Sequence, residues 1–275
     1  MSSKAEARSD TNGKAATSPA YYVPALEKGL DVLECLASQG VPMTQAQLAR
    51  ALGRGASELF RILTTLERRG YIVRDPESGA YGLTLRLFEL AHAHSPYEGL
   101  MRAATRPMRE LTTEIRESCH ISVIHRGRCL VLAEEPSPSR VRVSVEVGST
   151  IALHQAASGR LLLAALDAAR RQELFDSEPD LAQLPASQRQ ALEMRLQRIR
   201  ERGYEDARGD TVEGVSDLAV LIGELDAPLH AALTVTALPR DHAAFVQAVL
   251  PPLRHCADAI ARAAGLGHRQ SSPGA

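Results

Sequence analysis

The sequence lacks the features that would place it in several large classes. It has no tryptophan, only 4% aromatic residues and four cysteines, Cys35, Cys119, Cys129 and Cys256. The cysteines form no CxxC or other ligand spacing. That argues against a disulfide framework and a zinc site, and it fits a reducing cytoplasm. No apolar run approaches the ~18–20 residues of a membrane span. The first twenty residues hold no apolar stretch, so no signal peptide is expected. There is no HExxH, Walker loop or dinucleotide fingerprint, so no metal or cofactor is expected. Charge of one sign is also missing, since 32 Lys+Arg stand against 33 Asp+Glu. A wholly basic nucleic-acid coat is therefore excluded, whereas a local basic face is not.

What is present is a core-forming chain of 275 residues, 44% of them hydrophobic. That is enough for one large domain or two ordinary ones, and global disorder is excluded. Lys4, Lys14 and Lys28 are the only lysines, so the remaining positive charge is arginine. Residues 1–20 and 266–275 are aperiodic and are expected to be mobile tails. Between them the pattern divides near Ser95-Pro96.

In the first part, Pro24 opens a helix with Leu26, Leu30, Leu33 and Leu36 at helical spacing. Thr44 and Gln47 then form a capping box, with Met43 and Leu48 as the hydrophobic staple of a short second helix. A third helix spans about Gly55 to Arg69, with Leu59, Ile62, Leu63 and Leu66 inward and Gly70 as its stop. Two short strands follow, around the turn Asp75–Gly79. Three helices and a hairpin predict a winged helix-turn-helix over residues 21–83, joined through a linker helix over 84–96 to a second domain over 97–265.

The third helix carries Ser57, Arg61, Thr64 and Arg68 on one face, at i, i+4, i+7 and i+11. An α-helix fits the major groove, and an arginine fork suits a guanine edge or a phosphate. Thr65 lies beside that face. Arg54 sits in the preceding turn, near a helix N-terminus that attracts phosphate. Arg74 is placed to meet the DNA backbone from the wing. Glu58 would repel phosphate unless it accepts from a cytosine amino group or pairs with Arg61. The plain alternative is that Arg61, Arg68 and Arg69 are a solvated helical face, and the rival is a protein-docking surface. DNA binding needs that face exposed and electropositive, whereas docking needs it covered.

The second part predicts a helix over about Glu98–Glu117 and strands over Ile121–His125 and Cys129–Glu134. A half-buried strand is predicted at Val141, Val143, Val145 and Val147, where apolar residues alternate with others. Helices follow near Ser158–Leu166, Ala168–Phe175 and Ser187–Arg202, then strands over Val215–Ile222 and Ala231–Ala237. A last helix, about Asp241–Ala264, should kink or break at Pro251-Pro252. The small residues Ala156-Ala157-Ser158-Gly159 lie between a strand and a helix start, where free N–H groups can hold a carboxylate. His154, Ser158 and Asp217 are the residue types of a hydrolase triad. Ser158 is not in a GxSxG elbow, however, and His154 is only four residues away, so an enzyme is not expected.

The stretch Val23-Pro24-Ala25-Leu26-Glu27-Lys28-Gly29-Leu30-Asp31-Val32-Leu33 resembles the opening signature of the IclR family of bacterial transcriptional regulators. Ser57–Arg61, Leu66–Tyr71 and Tyr81-Gly82-Leu83 continue the resemblance. Leu153–Arg160, Gly203-Tyr204 and Gly214–Leu218 extend it into the second part. It covers about Val23 to Gly265. The resemblance implies an α+β protein, with a winged helix-turn-helix, a linker helix and a C-terminal GAF-like α/β effector-binding domain on an antiparallel sheet. It also implies a homodimer or homotetramer on palindromic promoter DNA, acting as a repressor or activator of catabolic genes, with repression favoured here. Effector contacts are implied at Ala157 and Ser158 and at Val215 and Asp217. His120, Ser122, Val143, Ile151 and Gly159 complete the candidate set, and the expected effector is a small organic acid or related metabolite.

Three departures stand out. Many relatives have Lys-Ser-Thr where this chain has Ala56-Ser57-Glu58. Many have Cys at the position of Asp217, where a carboxylate favours a hydroxyl or amine, or becomes protonated when buried. The usual acidic residue after the Gly-Tyr pair is displaced by Ala207 and Arg208, with Asp206 or Asp210 as substitutes. The rival to a DNA-binding regulator is a sensing module acting through protein contacts alone. Charge adds one expectation. Residues 1–96 carry 11 Lys+Arg against 10 Asp+Glu, and the remainder 21 against 23. A single subunit should bind DNA weakly, so the surface should be duplicated in an oligomer.

Overall fold

A computed structural model describes residues 23–93, 97–223, 230–239 and 241–266. The tails expected over 1–20 and 266–275, Leu266 apart, lie outside the described residues, as does the Ser95-Pro96 break. The chain forms two compact units, residues 1–95 and 96–275.

The first unit opens with α1 (Pro24–Gln39), which has proline at its start and Gly40 as a left-handed C-cap. The short β1 (Met43–Thr44) leads into α2 (Gln45–Leu52). The Gln47 N–H donates to Thr44 Oγ1 and the Thr44 N–H donates to Gln47 Oε1, which closes the capping box. The third helix, α3 (Ala56–Arg68), buries Leu59 and Leu63 against Val32, Leu36 and Leu48. The wing pairs β2 (Ile72–Arg74) with β3 (Ala80–Leu83), and β1 joins β3 on its other edge. At the wing tip, Asp75 Oδ1 accepts from the Glu77 and Ser78 N–H groups and from the Ser78 hydroxyl. These bonds, the Ser78 hydroxyl first, hold the Asp75 carboxyl below its ordinary pKa. The last element of the unit is α4 (Arg86–Ala93).

In the second unit, α5 (Glu98–Ile115) precedes β4 (Ser118–His125), β5 (Arg128–Glu135) and β6 (Thr150–Ala152). Four helices follow: α6 (Ala157–Ala165), α7 (Ala168–Ser177), α8 (Pro179–Ala182) and α9 (Ala186–Arg202). The unit ends with β7 (Glu205–Arg208), β8 (Ser216–Ile222), β9 (Ala231–Ala237) and α10 (His242–Ala263). The sheet runs β6-β5-β4-β9-β8-β7, and every neighbouring pair is antiparallel.

Strand alternation gives the central strands two different faces. Cys119, Ile121, Val123, Leu218, Val220, Ile222, Leu233 and Val235 pack with α5 and α10 in one apolar core. Ala207, Ala219 and Ala232 point the other way and admit α6 and α9 close to the sheet. The same face of β4, β8 and β9 also carries His120, Ser122, Asp217, Thr234 and Thr236.

Two local expectations are corrected. Residues 141–147 form no strand. Val143 and Val145 are half-buried while Val141 and Val147 are exposed, so the alternation is real. The segment finds no ladder partner, however, and the Val145 N–H donates to the Glu134 carboxylate instead, at 2.9 Å. Pro251-Pro252 does not break α10, which runs through both prolines. The carbonyls that lose their helical donors belong to Gln247 and Ala248, both exposed and open to water. Val249, Leu253 and Cys256 hold the helix in the core on either side. The strand β7 was missed, because Glu-Asp-Ala-Arg shows no apolar alternation.

Candidate functional site

Two surfaces stand out, one in each unit. On α3, Ser57, Arg61, Thr64, Thr65 and Arg68 are all exposed, and so is Arg74 on the wing. The threonine hydroxyls donate back to the Phe60 and Arg61 carbonyls, each at 2.8 Å, which leaves their lone pairs outward. Among the described residues, no ion pair involves Arg61, Arg68 or Arg74. Phe60 lies on the same helix with 57% of its surface exposed. Sequence reasoning passed it over as an ordinary helix residue.

Arg54 and Glu58 are placed differently from expectation. Glu58 pairs with Lys28 of α1 and stands 3.8 Å from Arg54, so its partner is not Arg61. The Lys28 ammonium holds the Glu58 carboxyl below its ordinary pKa. Arg54 is drawn onto Asp31 at 2.6 Å. Its guanidinium is engaged within the fold, so it does not stand free to meet phosphate.

The second unit encloses a cavity of about 390 Å³. Its floor is the polar face of the central strands. Register places His120 beside Thr234, and Asp217 beside Thr236. A β-bulge between Ile121 and Ser122 locally alters the β4–β5 pairing there. The walls mix the apolar Val131, Val145, Val212 and Val215 with polar residues such as Ser144, Glu146 and Thr150. Of the candidates from sequence, His120, Ser122, Val143, Ile151, Ala157, Ser158, Val215 and Asp217 line this cavity.

Gly159 does not line it. A Cβ there would stand 2.3 Å from the Leu153 carbonyl oxygen, so this glycine serves close backbone packing. Asp206 and Asp210 are not lining residues either. Asp210 pairs with Arg160 at 2.7 Å and with Arg195 at 3.1 Å. Thr234 and Thr236 were missed, although Thr at i and i+2 in the otherwise apolar β9 is a legible signal.

The floor is electrostatically unusual. Asp217 is buried with no ion-pair partner among the described residues, and the Thr236 hydroxyl donates to its Oδ1 at 2.8 Å. Burial pushes the Asp217 carboxyl above its ordinary pKa, and Thr236 offsets this only in part. Burial also lowers the His120 imidazole to about 4, so the ring is neutral. The helix α6 starts at the cavity with Ala156 as N-cap and no side-chain cap, which leaves its first N–H groups available. Ser158 Oγ lies 3.3 Å from Cys129 Sγ, not against His154.

A different Ser, His and Asp do come together. His242 Nδ1 lies 3.0 Å from Ser216 Oγ, and its Nε2 lies 3.0 Å from Asp206 Oδ2. Burial works against the charge on Asp206, but hydrogen bonds from His242 and Arg202 outweigh it and hold the carboxyl low. Ser216 has no exposed surface. The trio therefore braces β7 and β8 against the start of α10 and presents no nucleophile. Among the described residues, no cluster of potential metal ligands occurs and no helix is long and apolar enough to cross a membrane.

Residues 25–76 match the IclR helix-turn-helix domain, and residues 96–262 match the bacterial transcriptional regulator IclR C-terminal model. The HTH-type transcriptional regulator XynR of Escherichia coli is 26% identical over 78% of this chain and 86% of its own. The glycerol operon regulatory protein of Streptomyces griseus is 26% identical over 90% and 99%. An IclR homologue from Microbacterium hydrocarbonoxydans, crystallised with 4-hydroxybenzoate, superposes with a TM-score of 0.75 at 23% identity, covering 88% of this chain and 99% of that one. The relatives are transcriptional regulators, and the helix-turn-helix is a DNA-binding unit. The chain belongs to the IclR family of bacterial transcriptional regulators.

Proposed function

We propose that this chain is a ligand-responsive repressor of catabolic genes, cytoplasmic and homo-oligomeric. It reads promoter DNA with α3 and binds a small organic acid or related metabolite in the cavity over β4, β9 and β8. The observation that carries this reading is the pairing, in one chain, of an exposed helix face bearing unpaired arginines with a polar-floored cavity. Exposure of Arg61, Thr64 and Arg68 favours DNA over a covered protein-docking face. Arg61 and Arg68 are the base or phosphate contacts, with Arg74 on the backbone.

The uncapped start of α6 accommodates a carboxylate, and a neighbour of the same fold carries the small aromatic acid 4-hydroxybenzoate. Leu26 and Leu30 of α1 and Leu87, Phe88 and Leu90 of α4 leave large apolar surfaces exposed in the single chain, which supports an assembly. In a two-fold dimer, reading helices would stand about one DNA turn apart, ~34 Å, or a multiple of it. The effector would shift the population between sensor-domain conformations.

The test is binding to the chain's own upstream promoter DNA, followed by fluorescence anisotropy with and without small acids. Salt-sensitive, sequence-selective binding that a ligand weakens is the expected result. Sequence-selective binding that a ligand strengthens would favour activation, and no DNA binding at all would favour the protein-contact module.

A further inference from the structure

The cavity lining has a definite polarity. None of its residues is Lys or Arg, and its only carboxylates are Asp217 and Glu146. His120 in the floor is neutral. The floor therefore offers no cation to an anionic ligand. The nearest ionic partners are used elsewhere: Arg160 is committed to Glu205 at 2.7 Å and to Asp210.

The floor instead offers a carboxylate acceptor beside a hydroxyl that can both donate and accept. Asp217 Oδ1 takes the Thr236 hydroxyl, and among the described residues no hydrogen bond reaches Oδ2. Thr234 Oγ1 is buried with no hydrogen-bond partner, although the residue is only 1% exposed. Ser122 Oγ faces the Cys129 thiol, a weak partner, and has no stronger one among the described residues. Buried polar groups left unmet cost free energy, and a bound ligand that meets them recovers it. An acceptor carboxylate flanked by unfilled hydroxyls is met by a donor-bearing group. A second carboxylate facing Asp217 would repel it.

We propose that the effector carries a hydrogen-bond-donating group, hydroxyl or ammonium, which docks on Asp217 and Thr234. Any anionic group it has sits at the start of α6. The inference rests on the ligand-binding reading of this cavity given above, and it narrows the class from organic acids at large to hydroxy or amino acids in the broad chemical sense. Unsubstituted acids and diacids of the same size leave the Asp217 acceptor unmet.

Two matched series test it, by calorimetry and by thermal shift on the full chain. One is benzoate, 4-hydroxybenzoate, 4-(aminomethyl)benzoate and terephthalate. The other is butyrate, 4-hydroxybutyrate, 4-aminobutyrate and succinate. In at least one series the hydroxyl or ammonium member should bind tenfold or more tighter than the unsubstituted acid and the diacid. Asp217→Asn keeps an acceptor, so a hydroxyl ligand should survive it while an ammonium ligand loses tenfold or more. Thr234→Val should weaken either ligand and leave the ligand-free melting temperature within a few degrees, which guards against simple misfolding. Donor-free acids that bind as tightly as their substituted partners, or donor ligands indifferent to both substitutions, overturn the proposal alone. If neither series nor a broad library of acids, polyols and amines alters melting or operator affinity, the ligand-responsive reading falls with it.

Discussion

Arg160 Nε lies 2.7 Å from Glu205 Oε1, and both side chains are almost fully buried, at 3% and 4% exposed. This pair ties α6 to β7. Arg160 also donates to the His154 and Gln155 carbonyls, at 3.0 and 2.9 Å, so one guanidinium fixes the loop that opens α6. Glu205 also pairs with Arg195 at 2.6 Å and Arg160 with Asp210 at 2.7 Å, so removing one partner leaves the other partly compensated and costs about 1–3 kcal/mol. Arg160→Met and Glu205→Gln should each lose stability of that order in urea unfolding. A loss under about 1 kcal/mol would mean that the pair is dispensable to the fold.

Gly159 faces the Leu153 backbone with no space for a side chain. Gly159→Ala should cost about 1–3 kcal/mol through forced displacement of that loop. A melting temperature equal to that of the parent would show that the loop yields freely.

Arg61 is exposed on α3 and free of ion pairs among the described residues. Arg61→Ala should reduce specific operator binding by ~1–3 kcal/mol and relax one base preference if it reads a base edge. If it holds a phosphate, the loss should be uniform across sequences with a shallower salt dependence. Anisotropy titrations on operator variants at several salt concentrations separate the two. Unchanged binding removes Arg61 from the interface.

Ser158 opens α6 at the cavity wall. Ser158→Phe should fill the cavity, abolish the ligand response and spare operator binding. A normal dose–response in that variant would move the ligand elsewhere.

Two buried groups give opposite pH dependences. His120 falls from an ordinary 6.5 to about 4 in the folded chain. The unfolded chain therefore takes up a proton first, and stability drops as pH falls from 6.5 toward 4, by up to about 3 kcal/mol. The Asp217 carboxyl is raised, so its burial penalty is relieved as pH falls through its folded value. Equilibrium unfolding across pH 4–7 should show a flatter acid limb for His120→Gln than for the parent, and a steeper one for Asp217→Asn. Parallel curves would place both groups in solvent.

Much of the first unit was legible because its signals are local. Thr44 and Gln47 cap one helix, and Leu59 and Leu63 share one face of the next. The polar face of α3 follows from helical spacing alone. The cavity was partly legible for a different reason. His120, Ser122 and Asp217 are polar residues in otherwise apolar strands, and Ala157-Ser158 opens a helix without a capping side chain. The errors arose where a partner decides. The alternating valines of 141–147 lack a neighbouring strand, and the prolines of α10 release carbonyls that water can reach. Glu58 finds Lys28 on another helix, a pairing no spacing along α3 could reveal.

The sequence by itself determined most helix starts and stops, the polar face of α3 and the two-faced character of β4, β8 and β9. These depend on periodicity and on neighbours a few residues away. Only the tertiary structure decided that Thr234 and Thr236 complete the floor with Asp217 and His120, and that Arg160 closes on Glu205. The same holds for Gly159, which belongs to packing rather than to the cavity. Each of these contacts joins residues far apart in the chain, through strand register or close backbone approach, and chain closure in three dimensions fixes both.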